Sequence, residues 1–151
     1  MTPEGTPGRP ERTAPVADYR VLVTGSRSFT AAAVVDEALS GALARAINAG
    51  AEQMVIVHGD CRTGADAFAA SWVRWHESWP TPLIRITQEP HPARWQLLGR
   101  RAGPARNQEM VSSGIDEALS FFLPGVVSKG TADCVQRAEA AGITTRRLTD
   151  G

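Results

Sequence analysis

Short apolar runs of strand length alternate with longer segments of helical periodicity along most of this chain. The apolar runs lie at residues 20–24, 54–57, 83–87 and 118–123, and a fifth strand is predicted at residues 143–148. Between them, apolar residues recur every three or four positions, as at residues 34–47, which is the spacing of an amphipathic helix. Strands that alternate with helices form βαβ units around a largely parallel sheet. The sequence therefore predicts an α/β fold, a single Rossmann-like three-layer domain with a mainly parallel sheet of about five strands.

The amino-terminal segment differs in composition from the rest of the 151-residue chain. Residues 1–18 contain four of the ten prolines and almost no apolar side chain that could enter a core. Such a segment cannot bury enough apolar surface to offset the entropy lost on ordering it. We therefore predict a disordered tail over residues 1–18 and one domain over residues 19–151, a length typical of a single domain.

Charge, cysteine content and hydropathy exclude several classes of protein. Sixteen basic residues balance sixteen acidic ones, which argues against nucleic acid as a partner. The two cysteines, Cys61 and Cys134, form neither a disulfide framework nor a zinc-ligand spacing. We therefore predict no metal, no other cofactor and a cytoplasmic location. No apolar run approaches the roughly 18 residues of a membrane span, and the first residues lack the apolar segment of a secretory signal, so no membrane partner is predicted.

Glycine follows three of the predicted strands, in the segments TGSR (24–27), HGDCRTG (58–64) and PGVVSKGT (124–131). In a parallel sheet, ligands bind at the carboxyl ends of the strands, where each strand connects to a helix. Glycine lets the backbone approach a ligand closely, and the free N–H groups at a helix start attract anions. These segments and residues 102–107 also supply hydroxyl and cationic side chains. The pattern predicts a site for a phosphorylated ligand.

The predicted ligand-binding residues lie in these loops and at the start of the helices that follow. They are Gly25, Ser26, Arg27, His58, Gly59, Gly64, Asp66, Arg106, Asn107, Pro124, Gly125, Ser128, Lys129, Gly130 and Thr131. The loop at residues 58–64 is not a P-loop, because alanine and aspartate follow its second glycine where a P-loop has lysine and serine or threonine. No GxGxxG motif follows the first strand, which argues against NAD binding of the usual Rossmann kind.

Five motifs together resemble the SLOG superfamily and, within it, the YspA/YpsA-related branch. They are RVLVTGSR at residues 20–27, HGDCRTGAD at 58–66, Trp95 followed by Gly99, AGPARN at 102–107 with Met110, and SKGT at 128–131. The resemblance extends from about residue 20 to residue 147. It implies a Rossmann-like fold that binds nucleotides or nucleotide-derived ligands, in some members as a sensor linked to stress or anti-phage signalling.

The LOG phosphoribohydrolases of the same superfamily, which cleave nucleoside monophosphates, are similar to this chain at two places. Their Arg-Lys-x-x-Met segment matches residues 106–110, so that Arg106 falls on their functional arginine. Their Pro-Gly-Gly-x-Gly-Thr-x-x-Glu segment matches residues 124–134 with two extra residues, and Cys134 falls on their catalytic glutamate. A thiol stabilises an oxocarbenium-like transition state poorly. The catalytic residue of such a reaction therefore stays unknown. The candidates are Arg106, Asp66 and Asp133.

Three functions follow from these observations. The leading prediction is a cytosolic binding or sensing domain for a nucleotide or a nucleotide-derived phosphorylated ligand. The alternative is a nucleotide hydrolase of the LOG phosphoribohydrolase type, which would need a suitably placed base. The second alternative, suggested by a DNA-processing branch of the superfamily, is a single-stranded nucleic-acid binding module, against which the neutral net charge argues.

The helix predicted over residues 64–79 carries three tryptophans, Trp72, Trp75 and Trp79. Because successive helical residues turn by about 100°, these rings spread over a wide band of the helix surface. One face of a sheet can cover such a band only in part, and exposed aromatic surface is typical of an interface. We therefore predict a homodimer.

Overall fold

A computed structural model describes residues 17–150, which form one parallel sheet of five strands with helices on both faces. The strands are β1 (Asp18–Gly25), β2 (Gln53–His58), β3 (Arg85–Pro90), β4 (Glu117–Phe122) and β5 (Thr144–Thr149). Their order in the sheet is β3-β2-β1-β4-β5, and every neighbouring pair is parallel. The predicted α/β fold with a Rossmann-like, three-layer arrangement is confirmed.

Five α-helices connect the strands within the described residues. They are α1 (Ala32–Asn48), α2 (Ala65–Ser78), α3 (Trp95–Leu98), α4 (Ala102–Val111) and α5 (Lys129–Ala140). A turn of 3-10 helix at Gly99–Arg101 joins α3 to α4. Among these residues, no helix is both long enough and apolar enough to cross a membrane.

The central strands carry consecutive buried apolar residues because helices cover both faces of the sheet. Successive side chains of a strand point to opposite faces. Val21 and Val23 of β1 accordingly pack in the core beneath α1 and α2. Leu22, between them, packs on the other side with residues of α4 and α5, including Met110 and Cys134. This two-sided burial explains why the strands are continuous apolar runs rather than alternating ones.

Two segments differ from the sequence-based expectation. The third strand, predicted at residues 83–87, runs instead from Arg85 to Pro90, which pairs with His58, although two prolines within residues 89–92 favour a loop there. Proline lacks an N–H donor, but β3 lies at the edge of the sheet, where one side of the strand needs no partner. The four-residue helix α3 was not predicted, since four residues are too few to show helical periodicity.

Two residues of the predicted tail, Ala17 and Asp18, take part in the sheet. Strand β1 starts at Asp18 itself, and the carbonyl oxygen of Ala17 accepts hydrogen bonds from the N–H groups of Glu52 (3.0 Å) and Gln53 (3.3 Å). Both residues therefore belong to the domain. The rest of the predicted tail, residues 1–16, lies outside the described residues.

The order of the strands determines where a ligand site can form. The chain leaves β1 for α1 on one face of the sheet, whereas it leaves β4 for α5 on the other face. Because β1 and β4 are neighbours, their following loops diverge and leave a crevice at their carboxyl ends. This is the position at which open parallel sheets bind ligands.

Candidate ligand-binding site

A cavity of about 660 Å³ opens at the carboxyl ends of β1 and β4. Its walls come from the loops after β1, β2 and β4, from α4 and from the first turn of α5. Eleven of the predicted site residues line it: Gly25, Ser26, Arg27, Gly59, Asp66, Arg106, Asn107, Ser128, Lys129, Gly130 and Thr131. The candidate Asp133 lines it as well. The fold thus brings four separate segments of the chain to one cavity.

Four other predicted residues, His58, Gly64, Pro124 and Gly125, are not among the residues that line the cavity. The Nδ1 atom of His58 accepts a hydrogen bond from the N–H of Asp60 (3.0 Å), and Nε2 lies 2.8 Å from Oε1 of Gln88. This arrangement makes Nε2 the protonated nitrogen and gives His58 a role in holding its own loop. Gly64 has a φ of +79°, and a Cβ there would lie 2.7 Å from Cα of Arg27.

Asp66, in the first turn of α2, holds the β2–α2 loop against the cavity. Its Oδ2 atom accepts hydrogen bonds from the N–H groups of Gly59 (3.1 Å) and Cys61 (3.3 Å). Burial raises the pKa of Asp66, although His58, the Cys61 hydrogen bonds and Arg106 act in the opposite direction. A buried carboxyl group with a raised pKa in a cavity is suited to proton exchange as well as to structural support.

Arg106 is fixed in the cavity by the backbone around it. Its Nη1 atom donates to the carbonyl oxygens of Gly59 (2.7 Å) and His91 (3.3 Å), and Nε donates to Oδ1 of Asn107 (3.0 Å). A Cβ on Gly59 would lie 2.8 Å from Cζ of Arg106, so glycine is required for this close approach. The guanidinium is therefore held in place before any ligand binds.

Asn107 and Asp133 join α4 to α5 beside the cavity. The Nδ2 atom of Asn107 donates to the carbonyl oxygen of Gly130 (3.2 Å) and to Oδ2 of Asp133 (3.0 Å). Asp133 also accepts from Nε of Arg137 at 2.9 Å. Burial alone would raise the pKa of Asp133, but these hydrogen bonds outweigh burial and lower it. Asp133 is thus an ionised carboxylate that already has partners.

The amino terminus of α5 forms one side of the cavity. Ser128 caps the helix, because its Oγ atom accepts from the N–H of Thr131 at 3.4 Å and lies 2.8 Å from Oγ1 of the same residue. Lys129 and Gly130 begin the helix and are exposed. The first N–H groups of a helix attract anions, both through their hydrogen bonds and through the helix dipole.

Positive charge is available in the cavity. Three cationic side chains line it, those of Arg27, Arg106 and Lys129. Within residues 17–150, none of the three lies within 4.0 Å of a carboxylate oxygen as an ion pair. The two carboxyl groups present either have a raised pKa, as in Asp66, or are paired with an arginine, as in Asp133. This balance favours an anionic ligand.

Cys134, which the LOG resemblance places at a catalytic glutamate position, is not a lining residue of the cavity. Its side chain is fully buried against β1, β2 and β4. Burial raises the pKa of this thiol to about 11, so it stays protonated at neutral pH. The described residues also contain no group of three or more histidine, cysteine or acidic side chains that could hold a metal ion.

Sequence reasoning did not assign a ligand-binding role to several residues of the cavity wall. They are Val23, Thr24, Ser28, Cys61, Trp95, Gly103, Pro104, Met110, Val126 and Val127. Trp95 precedes the glycine-rich approach to α4, and several of the others lie inside the segments from which the site was predicted, namely Thr24, Cys61, Gly103, Pro104, Val126 and Val127. The segments could be recognised from their glycines, but no periodic pattern shows which of their other residues face the cavity.

Comparison with known proteins places this chain in a family. A model of the YspA, cpYpsA-related SLOG family matches residues 19–97, which include β1, β2, β3 and the loops after the first two strands. The chain belongs to the YspA, cpYpsA-related SLOG family. The chain is also 40% identical over 131 residues to the Gene 61 protein of Mycobacterium phage D29, an alignment that covers 87% of this chain and 97% of that protein. No solved structure matches this member of the family.

Proposed function

We propose that this protein is a cytosolic binding or sensing domain for a nucleotide or nucleotide-derived phosphorylated ligand, which it holds in the cavity beside β1 and β4. Membership of a SLOG family suggests a nucleotide-related function. The observation that carries the proposal is that one cavity is lined by three cations, which form no ion pair with a carboxylate of the described residues, and by the capped amino terminus of α5. Each hydrogen bond between a phosphate and such a charged group contributes about 1.5–3 kcal/mol.

Isothermal titration with nucleoside mono- and diphosphates tests this proposal. We expect wild-type protein to bind at least one of them, and Arg106→Ala to weaken that binding at least tenfold, because about 1.4 kcal/mol corresponds to a tenfold change in Kd. Because Arg106 also hydrogen-bonds to the carbonyl oxygen of Gly59, its replacement could disturb that loop. Lys129→Ala is therefore a second test, since it removes a cavity cation without removing that hydrogen bond. Arg74→Ala is the control, since this exposed arginine donates only to Ser71 and lies outside the cavity. Equal affinities in all four proteins would place the ligand elsewhere.

A nucleotide hydrolase is the second candidate, favoured by one observation: the Asp66 carboxyl group lines the cavity with a raised pKa. In its protonated form this group could donate the proton that leaves with the base, while water adds to the sugar carbon as the N-glycosidic bond breaks. Chromatography of nucleoside monophosphates after incubation would detect free base and ribose 5-phosphate. The hydrolase hypothesis predicts that Asp66→Asn abolishes the release of these products. If the wild-type protein releases neither product, the hydrolase hypothesis is wrong.

A further inference from the structure

Part of the exposed rim of the cavity is apolar, in addition to the cations that line it. Trp95, Val126 and Val127 line the cavity with 50%, 48% and 85% of their surfaces exposed. The polar residues deeper in the cavity are buried, as Asn107 and Thr131 show, with 4% and 2% exposed. The cavity is therefore suited to a ligand with one polar, anionic part and one part that benefits from leaving water.

The indole of Trp95 is held at this rim by its packing on α4. Gly103 lies in the first turn of α4, and a Cβ built on it would be only 3.4 Å from Cη2 of Trp95. Half of the tryptophan surface nevertheless remains exposed, and the residue lines the cavity. The indole thus rests on backbone while offering aromatic surface to a ligand.

The segment that carries Trp95 is anchored at its beginning. The carbonyl oxygen of His91 accepts from Nη1 of Arg106 at 3.3 Å. The ring nitrogens of His91 lie 2.7 Å from a carboxylate oxygen of Glu89 and 3.1 Å from one of Glu109. Because the segment is already fixed, stacking on Trp95 costs little ordering entropy.

We infer that the ligand carries an aromatic base that stacks on Trp95, so that the ligand class is base-containing nucleotides rather than sugar phosphates. This inference rests on the proposed function, because it assumes that a phosphorylated ligand occupies the cavity. A planar aromatic base can stack on the exposed face of the indole and remove it from water. A sugar phosphate has no aromatic ring and cannot do so. Stacking of a base on an aromatic side chain is worth about 1–3 kcal/mol, or roughly fivefold to more than a hundredfold in affinity.

The test compares the affinities of AMP, GMP, CMP, UMP and ribose 5-phosphate for four proteins: wild type, Trp95→Leu, Trp95→Phe and Trp79→Leu. Leucine keeps apolar surface at position 95 but removes the aromatic face, whereas phenylalanine keeps an aromatic ring. Trp79 is also exposed but does not line the cavity, so its replacement is the matched control. Circular dichroism checks that each variant is folded. If Trp95→Leu does not fold, the affinities of Trp95→Phe and wild type are compared instead.

We expect Trp95→Leu to weaken binding of the preferred monophosphate about tenfold or more and to leave ribose 5-phosphate unchanged. Trp95→Phe should retain most of the affinity, and Trp79→Leu all of it. If Trp95→Leu and wild type bind the monophosphate equally well, the stacking inference is wrong while the proposed function stands. If wild type binds neither these compounds nor the nucleoside diphosphates of the titration described above, both are overturned.

Discussion

Gly59 has no side chain, yet the geometry of two charged groups depends on it. A Cβ at this position would lie 2.8 Å from Cζ of Arg106 and 3.1 Å from Oδ2 of Asp66. Contacts this short force the longer, more mobile side chain to move. The consequence of a substitution here should therefore be displacement of the Arg106 guanidinium from the cavity.

We predict that Gly59→Ala weakens nucleotide binding about tenfold, the effect of losing roughly one charge-assisted hydrogen bond. Titration calorimetry measures it. Gly41→Ala is the control, because a Cβ there lies 3.5 Å from Nη1 of Arg45, an ordinary contact within α1. That substitution should leave affinity unchanged and raise the free energy of unfolding by about 0.5–1 kcal/mol. Full affinity in Gly59→Ala would show that Arg106 does not need its observed position.

Glu89 gives the stability of the domain a dependence on pH. Hydrogen bonds from Arg20 lower the pKa of Glu89 from 4.5 to about 2, against the opposing effect of burial and with a further contribution from His91. Because the folded-state pKa is the lower one, folding favours the ionised carboxylate. This stabilisation is complete above about pH 4.5 and is lost as the pH falls towards 2.

We predict that Glu89→Gln is less stable than wild type at pH 7 and that the difference shrinks as the pH falls from 4.5 towards 2. Urea unfolding at a series of pH values measures both quantities. Glu139→Gln, which removes an exposed ion pair with Arg147, should differ little from wild type at any pH. A Glu89→Gln difference that stays constant down to pH 3 would contradict the assigned role of the carboxylate.

The element that matters most to the site is α5, because its cap and its proposed anion contacts share the same residues. Ser128 accepts from the N–H of Thr131 and is also a lining residue of the cavity. Serine and aspartate both cap helices well, but aspartate brings a negative charge next to the proposed phosphate position. The two contributions of Ser128 can therefore be separated.

We predict that Ser128→Ala lowers the free energy of unfolding by about 1 kcal/mol, the usual cost of a lost cap. Ser128→Asp should restore that stability and yet bind nucleotide more weakly than Ser128→Ala does. Chemical denaturation and calorimetry on the same preparations provide the two readouts. An aspartate variant that binds as tightly as wild type would argue against phosphate at the start of α5.

The strands and long helices could be predicted because burial imposes a pattern on the sequence. Four of the five predicted strands match the observed ones to within one or two residues. For β1, β2 and β4 the reason is that their apolar residues are buried on both faces of the sheet, whereas β5 is a largely exposed edge strand. The remaining predicted strand, β3, runs from Arg85 to Pro90 instead of over residues 83–87. An edge strand can contain proline and expose Leu83 before it, so local composition misled the prediction there.

The residues of the candidate site could be predicted only in part, because the sequence shows local features but not the direction of each side chain. Glycines, helix starts and cations after strands are local features, and eleven of the fifteen predicted residues do line one cavity. His58 also lies at the end of a strand, but its ring hydrogen-bonds to the N–H of Asp60 in its own loop and to the side chain of Gln88 on the neighbouring strand β3. Which side chain turns inward and which towards a neighbouring strand depends on tertiary contacts that no spacing encodes.

At the scale of the whole molecule, the end of α2 and the segment that follows it carry exposed apolar side chains. Trp72 packs into the core, but Trp75, Trp79 and Leu83 are 58%, 68% and 69% exposed. We call these three exposed residues the tryptophan surface. Exposed aromatic surface of this kind is typical of protein interfaces, and we propose that it mediates formation of a homodimer.

We predict a solution mass of twice the 16.1 kDa of one chain at high micromolar concentration, measured by size-exclusion chromatography with light scattering. Replacing Trp75 and Trp79 together by glutamate should yield the monomer. Leu97→Glu, at a residue 73% exposed but outside the tryptophan surface, should remain dimeric. A wild-type mass of 16.1 kDa under these conditions would refute the dimer.

The central claim, that the cavity selects a phosphorylated nucleotide, is tested most directly by identifying what the protein captures. Wild type and the double variant Arg27→Ala/Lys129→Ala are incubated with a cell extract of small molecules, washed, denatured and analysed by mass spectrometry. We expect a base-containing phosphate to be recovered from wild type and to be depleted at least tenfold from the variant, which loses two of the three cavity cations. Equal recovery from both proteins, or recovery only of molecules that lack phosphate, would contradict the claim.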